Sequence, residues 1–382
     1  MQLEQRLWTP QDGWGKSRGG LSAPAELVLL FGGTSVFSEP QRLAELRERY
    51  PGACLFGCST AGEICDTRVH DDSLSVTAVH FEYTTIHAAH VCLDDYGGSS
   101  TAAGAQLAQA LPAQGLRHVF TLSDGQRVNG SDLVRGMYSE LPDGVQVTGG
   151  LAGDGARFDR TLVLAEGEPR QGVIAAMGLY GNALRIGYGS LGGWDSFGPK
   201  RTVAKSKGNV LYELDGKPAL ELYKRYLGDH ATGLPATGLL FPLEIQRPGE
   251  ERSVVRTILA VDEAEQSLTF AGDVPEGSVA QLMKANFERL IDGAADAAKA
   301  SVQTLGGDPP AELAVLISCV GRKLVLKQRT EEEVEGVRGV LGRGPMLTGF
   351  YSYGEICPAA PDASGELHNQ TMTITTFHEH GP

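Results

Sequence analysis

The chain reads as a mixed α/β protein (α/β, or α+β with extensive sheet): two fused domains built from about three repeated βαββ-like units. Three observations predict this. Short apolar runs alternate with helix-period segments along the chain. The order strand, helix, strand with a glycine and acid turn, then hairpin recurs three times. One of those turns is nearly duplicated, as "GCSTAGEIC" at 57–65 and "GFYSYGEIC" at 349–357, with five of nine positions identical.

The first unit opens with "LVLLFGG" from Leu27, a buried-strand run. Ser38, Pro40 and Gln41 stand in capping-box order ahead of a helix with Leu43, Leu46 and Tyr50 at helical spacing. "ACLFG" is the second strand and leads into "GCSTAGEI". "LSVTAVHF" then alternates, with Leu74, Val76, Ala78 and His80 on one face and Ser75, Thr77, Val79 and Phe81 on the other. In the second unit "HVFTLSDG" is a strand ending in a polar turn. "GSDLVRGMYSEL" is a helix with Leu133, Val134, Met137, Tyr138 and Leu141 inward, and "VQVTGGLAGDG" is a strand closing on Gly153 and Asp154. "RTLVLAEG" and "GVIAAMGLYG" supply its hairpin.

Between the second and third units, "KPALELYKRYL" predicts a helix capped by Asp215 and stopped at Gly228. A long helix is expected from about Val279, with Leu282, Met283, Phe287, Leu290 and Ile291 inward. The third unit runs "LAVLISCVGR", then a helix "TEEEVEGVRGVL" with Thr330 and Glu333 as capping box, then "MLTGFYSYGEI" and "LHNQTMTITTF". The expected division is an N-terminal extension at 1–24, a first domain at 25–207 and a second at 208–382.

Composition excludes several classes. The net charge is −14 and no basic cluster is present, so nucleic-acid binding is not expected. No apolar run is long enough to span a bilayer, and "MQLEQRLWTPQDGWGKSRGG" has no secretory pattern, so a soluble cytoplasmic protein without membrane association is expected. Six cysteines fit no paired metal spacing and should stay reduced. The 50 glycines cluster in short loops, which points to tight turns and to backbone exposed in a pocket.

Glycines flanking a strand-to-turn junction let backbone N–H groups face inward, and an adjacent carboxylate can accept from an ammonium or hydroxyl. Glu63, Asp154 and Glu355 are read as equivalent acids of the three units, and each could equally satisfy local donors or pair with Arg68 or Arg157. Ser123 and Asp124 in "SDG", and Ser318 to Arg322 in "SCVGR", end strands in the same register and would converge with these turns on a pocket. Both GEI turns are expected to face a cleft between the domains, related by an approximate internal two-fold.

A hydrolase or transferase using Ser59 or Cys58 is the catalytic alternative. "GCSTAG" is one residue too long for the G-x-S-x-G elbow, however, and no His–Asp partner is legible, so no catalytic residue is assigned. His87 and His90 point to opposite faces of a strand, and His378 and His380 lie at the chain end. His368 and Asn369 fall in the donor-rich run "LHNQT", and His230 follows the end of the 216–228 helix, where it can meet the helix dipole.

The segments "GCSTAGEI", "GGLAGDG", "SKGNVLYELDGKPALELYKRYL", "LISCVGR", "GFYSYGEI" and "LHNQTMTIT", in that order, resemble the FIST proteins, bacterial sensory proteins with paired FIST N and FIST C domains. The resemblance covers about residues 25–378. It implies ligand sensing in signal transduction, with amino acids or other small metabolites as ligands. "GGWDSFGP", with no attached output domain, is similar to the NosP branch of nitric-oxide-sensing haemoproteins that act on partner histidine kinases. That branch implies haem b, with His368 or His230 as alternative axial candidates. The rival small-ligand reading uses Ser59, Thr60, Glu63, Ser123, Asp124, Asp154, Arg322, Tyr351, Tyr353, Glu355, His368 and Asn369. Expected partners are nitric oxide or an amino-acid-like metabolite and a histidine kinase or other signalling protein, with a second copy of the chain as a further candidate.

Overall fold

The computed structural model describes residues 1–308, 310–360 and 363–381. Each of three units has two parallel strands and an antiparallel third. They are Leu27–Gly32, Cys54–Ser59 and Leu74–His80; Leu116–Ser123, Gln146–Leu151 and Val173–Tyr180; and Leu313–Cys319, Met346–Ser352 and Met372–Glu379. Parallel neighbours need a crossover, and the helices Pro40–Arg49, Gly130–Tyr138 and Thr330–Leu341 provide it. The leading strands are buried almost throughout, which is why they read as unbroken apolar runs.

The units exchange strands in a ring. After its turn, Glu63–Cys65 of the first unit pairs with Met346–Ser352 of the third. Gly354–Pro358 of the third pairs with Gln146–Leu151 of the second, and Val163–Leu164 of the second pairs with Cys54–Ser59 of the first. The opposite edges follow the same rule. Gln2–Thr9, Thr85–Cys92 and Leu184–Leu191 each pair with the third strand of a unit. The connectivity is therefore three-fold, and the expected two-fold between the GEI turns is corrected. The second unit, whose turn "TGGLAGDG" lacks the GEI letters, is the third member of the ring.

The sheets meet over a shared apolar core, where Phe31 of the first unit stacks on Phe350 of the third at 4.8 Å and Phe56 lies 6.2 Å from Phe120 of the second. One glycine per unit sits where the second strand presses on the first. A Cβ at Gly57, Gly149 or Gly349 would lie 1.9, 1.8 or 1.8 Å from the carbonyl oxygen of Leu30, Thr121 or Leu316. This contact accounts for the leading glycine of both duplicated turns.

An eight-stranded sheet is inserted between Leu184–Leu191 and the helix Phe287–Leu305. It carries its own core, including Leu211, Tyr223, Ile245, Leu268 and Phe270, which gives the chain its second domain. Val279–Ala285 is a strand of this sheet, not the start of the long helix; Asn286 caps the helix by accepting from the N–H of Arg289. Three other expected caps are also corrected, because their side chains are engaged elsewhere. Ser38 donates to the Ser35 carbonyl, Asp215 accepts from the N–H of Thr202 and pairs with Arg201, and Thr330 donates to the Lys327 carbonyl.

Candidate functional site

The duplicated acids are equivalent in detail. Glu63 accepts from the Thr60 hydroxyl and from both the N–H and hydroxyl of Ser73, at 2.9 and 2.7 Å. Glu355 accepts from the Ser352 hydroxyl at 2.6 Å and from the N–H and hydroxyl of Thr371, at 3.2 and 2.9 Å. Ser73 and Thr371 each directly precede the third strand of their unit, so each acid ties the turn to that strand. Both carboxyls are fully buried, and burial pushes Glu63 up to about 7 and Glu355 up to about 8. They do not line a cleft.

In the second unit the corresponding acid is Asp124, not Asp154. Asp124 accepts from the N–H of Gly172, which directly precedes Val173–Tyr180, and also from Thr161, Gln126 and Arg127. The carboxylate has moved from the second strand's turn to the end of the first strand, which a repeat-by-repeat alignment of turns overlooks. Asp154 instead gathers the N–H groups of Phe158, Asp159 and Arg160 and accepts from the Tyr353 hydroxyl. Tyr353 stacks on Phe158 at 4.6 Å, and Phe158 holds a positive φ of 53° to make that contact.

Arg322 is fully buried. Its guanidinium pairs with Glu333 at 2.8 Å and donates to the carbonyls of Gly192 and Leu290. Glu333 also accepts from Ser318 and from the Tyr351 hydroxyl, at 2.9 and 2.6 Å. The sequence placed Glu333 in a capping box; in the fold it neutralises the buried Arg322 and joins the ends of two strands.

The nucleophile alternative has no supporting geometry. The Ser59 hydroxyl donates to the Gly153 carbonyl and accepts from the N–H of Leu162, both at 2.8 Å. Cys58 is fully buried, and burial pushes its thiol well up, away from the reactive thiolate. Ser123 is buried, with no hydrogen-bond partner for its hydroxyl. Asn369 is buried and donates to the Tyr353 carbonyl at 3.4 Å.

His368 and His230, the two candidate axial residues, are each engaged by a neighbour. The His368 Nε2 is 2.9 Å from the Cys357 carbonyl, an oxygen that can only accept, so that nitrogen carries the proton. His230 is exposed and its ring leans on Phe241, with 5.3 Å between centroids. Neither ring lines any of the larger cavities. Among the described residues no cluster of three or more His, Cys, Asp or Glu could hold a metal ion.

Among the described residues, one of three cavities of similar size lies at the domain seam. This cavity, of about 490 Å³, is bounded by the helix Gly130–Tyr138, the inserted domain and the strand Gly365–His368. Its polar wall includes Ser131, Arg135, Tyr138, Arg247, Asp273 and Glu366. Two ion pairs cross the seam, Arg135 with Asp273 at 2.6 Å and Arg247 with Glu366 at 3.2 Å. Of these residues the sequence marked only Tyr138, as part of a helix's inner stripe. Glu366 lies two residues before His368, and the charge run around Arg247 was the signal available.

A model of the FIST N domain matches residues 26–217, and one of the FIST C domain matches residues 219–358. An uncharacterized protein of Methanocaldococcus jannaschii is 26% identical over 212 residues, which is 50% of this chain and 38% of that protein. The chain thus matches less than half the length of that relative. Among solved structures, a chorismatase aligns with 98% of both chains at 11% identity and a TM-score of 0.36. A cyanuric acid hydrolase from A. caulinodans aligns with 94% of this chain and 91% of its own at 9% identity and a TM-score of 0.38.

Proposed function

The chain belongs to the FIST family, and from that premise we propose that it is a sensor whose small ligand occupies the seam cavity. FIST domains are sensory domains that bind small ligands in signalling proteins. One observation carries the assignment to this cavity: its wall is drawn from the second unit, the third unit and the inserted domain together, so an occupant contacts both domains at once. A partner signalling protein, with a histidine kinase as the first choice, would read the altered seating of the inserted domain. No helix among the described residues is long and apolar enough to cross a membrane, which is compatible with a cytoplasmic receptor.

The test is a metabolite screen by thermal shift on the full chain, followed by hydrogen exchange with the best compound. Protection confined to 130–139, 246–256, 272–275 and 364–367 is expected; protection elsewhere moves the site, and no stabilising compound overturns the reading. The haem and nitric oxide alternative requires a haem slot beside His368, where Nδ1 is the nitrogen left to ligate, or beside His230. Haem titration checks it directly: a saturable Soret band lost in His368→Ala or His230→Ala would favour haem over the seam ligand.

A further inference from the structure

The seam cavity carries two cations, Arg135 and Arg247, against two carboxylates, Asp273 and Glu366. Both oxygens of Asp273 are engaged, one by the Asn129 amide at 3.0 Å and the other by Arg135 at 2.6 Å. Arg247 is held loosely in comparison, at 3.2 Å from Glu366 and 3.4 Å from Glu250. Behind the wall lies Arg256, fully buried. Its Nε donates to the Asp273 carbonyl and its Nη1 to the Leu367 carbonyl, both at 3.0 Å, and both of these residues line the cavity. Its Nη2 has no hydrogen-bond partner in the protein.

A buried guanidinium nitrogen without an acceptor is costly, and an ionised acceptor is what relieves it. Arg256 belongs to the strand Ser253–Arg256 and Arg247 follows the neighbouring strand Leu243–Gln246, so the two cations come from paired strands of one sheet. The hydrogen bonds of Arg256 go to backbone carbonyls, and the carboxylates of Glu366 and Asp273 favour its charge only from a distance.

We infer that the seam cavity takes a small organic anion, with a carboxylate or phosphate group bound by Arg247 on the stretch of wall that the buried Arg256 backs through Asp273 and Leu367. Binding is a competition. The ligand's anionic group replaces Glu366 on Arg247, and Glu366 turns to solvent, where it is already about a quarter exposed. The inserted domain then loses one of the ion pairs that tie it to the ring and gains a ligand-mediated contact in its place. The inference rests on the proposed ligand site and adds its chemistry and the internal carboxylate that the ligand displaces.

The experiment titrates the full chain with acetate, succinate, citrate and inorganic phosphate at constant ionic strength, with putrescine as the cationic control, by calorimetry and thermal shift. At least one anion is expected to bind saturably. Arg247→Met should weaken that binding about tenfold, as expected for loss of a charge-assisted bond. Glu366→Gln should strengthen it, because the competing carboxylate is gone; a site that used Glu366 to hold a ligand ammonium would respond in the opposite sense. Arg256→Lys keeps the charge while removing the fork that bonds Asp273 and Leu367, and should also weaken binding.

Binding of putrescine and not of the anions, anion binding indifferent to Arg247→Met, or weakening by Glu366→Gln would each overturn the inference. The two readings fail separately. If the anions do not bind but a neutral metabolite protects the seam from exchange, the anion inference falls and the seam site stands. If nothing protects the seam, both fall.

Discussion

Replacing Glu355 by Gln removes a buried carboxyl that burial pushes from an ordinary 4.5 up to about 8, although Arg322 nearby favours its charged form. The sign follows from linkage. The folded state holds the proton more tightly than the unfolded chain, so this carboxyl's favourable contribution is complete below pH 4.5 and is lost as pH rises through 8. Each pH unit in that window is worth about 1.4 kcal/mol, so the full shift amounts to about 5 kcal/mol between pH 4.5 and 8. Glutamine keeps the size and can accept from Thr371, while the Ser352 hydroxyl must turn from donor to acceptor, a pH-independent cost of about 1 kcal/mol. Urea unfolding of wild type and Glu355→Gln at half-unit steps from pH 4.5 to 8 measures the difference. The variant should be slightly less stable at the acid end and more stable at pH 8. Parallel stability curves would refute the reasoning, because the carboxyl would then titrate alike in both states.

Gly349→Ala should cost more than 3 kcal/mol or prevent folding altogether, since its Cβ would lie 1.8 Å from the Leu316 carbonyl oxygen at a φ of +155°; soluble expression and thermal melting check it. Arg322→Leu should cost about 3–5 kcal/mol by stranding Glu333, and the double variant Arg322→Leu with Glu333→Leu should be the more stable of the two in urea unfolding.

The repeated units were legible because each leading strand is buried on both faces and therefore written in apolar letters, and because each crossover helix has a periodic stripe. The glycine of each turn was legible for a related reason, the close approach of a carbonyl that leaves no room for a Cβ. The exchange of strands was not legible. Glu63–Cys65 finds its partner in Met346–Ser352, nearly three hundred residues away, and nothing local in "GEIC" names that partner. Asp124 was seen as polar but not as the counterpart of Glu63, because the two acids reach the same N–H position from different strands. Val279–Ala285 carries apolar residues that serve either period over so short a run, and the strand was decided by the sheet it joins. The seam cavity was the least legible feature of all. Its walls come from residues near 131–139, 247, 273 and 364–367, and no single stretch holds two of its ion-pairing partners.

The ring and the seam differ in what it costs to move them. Opening a strand exchange would strip the bonds from Glu63, Glu355 or Asp124, each buried, and leaving a single buried group unsatisfied costs about 1–3 kcal/mol before any lost packing. It would also pull apart the core in which Phe31 rests on Phe350. The seam is crossed by ion pairs whose partners are partly exposed, such as Arg247 and Glu366 at 27% and 26%, and pairs in that setting contribute at most about 1 kcal/mol each. A ligand that binds one seating about a thousandfold more tightly than the other supplies about 4 kcal/mol, enough to re-seat the inserted domain against contacts of that strength. The same ligand would face several buried acids and a packed aromatic core if it had to deform the ring. A binding signal in this fold therefore travels most cheaply as a displacement of the inserted domain on a ring that stays closed.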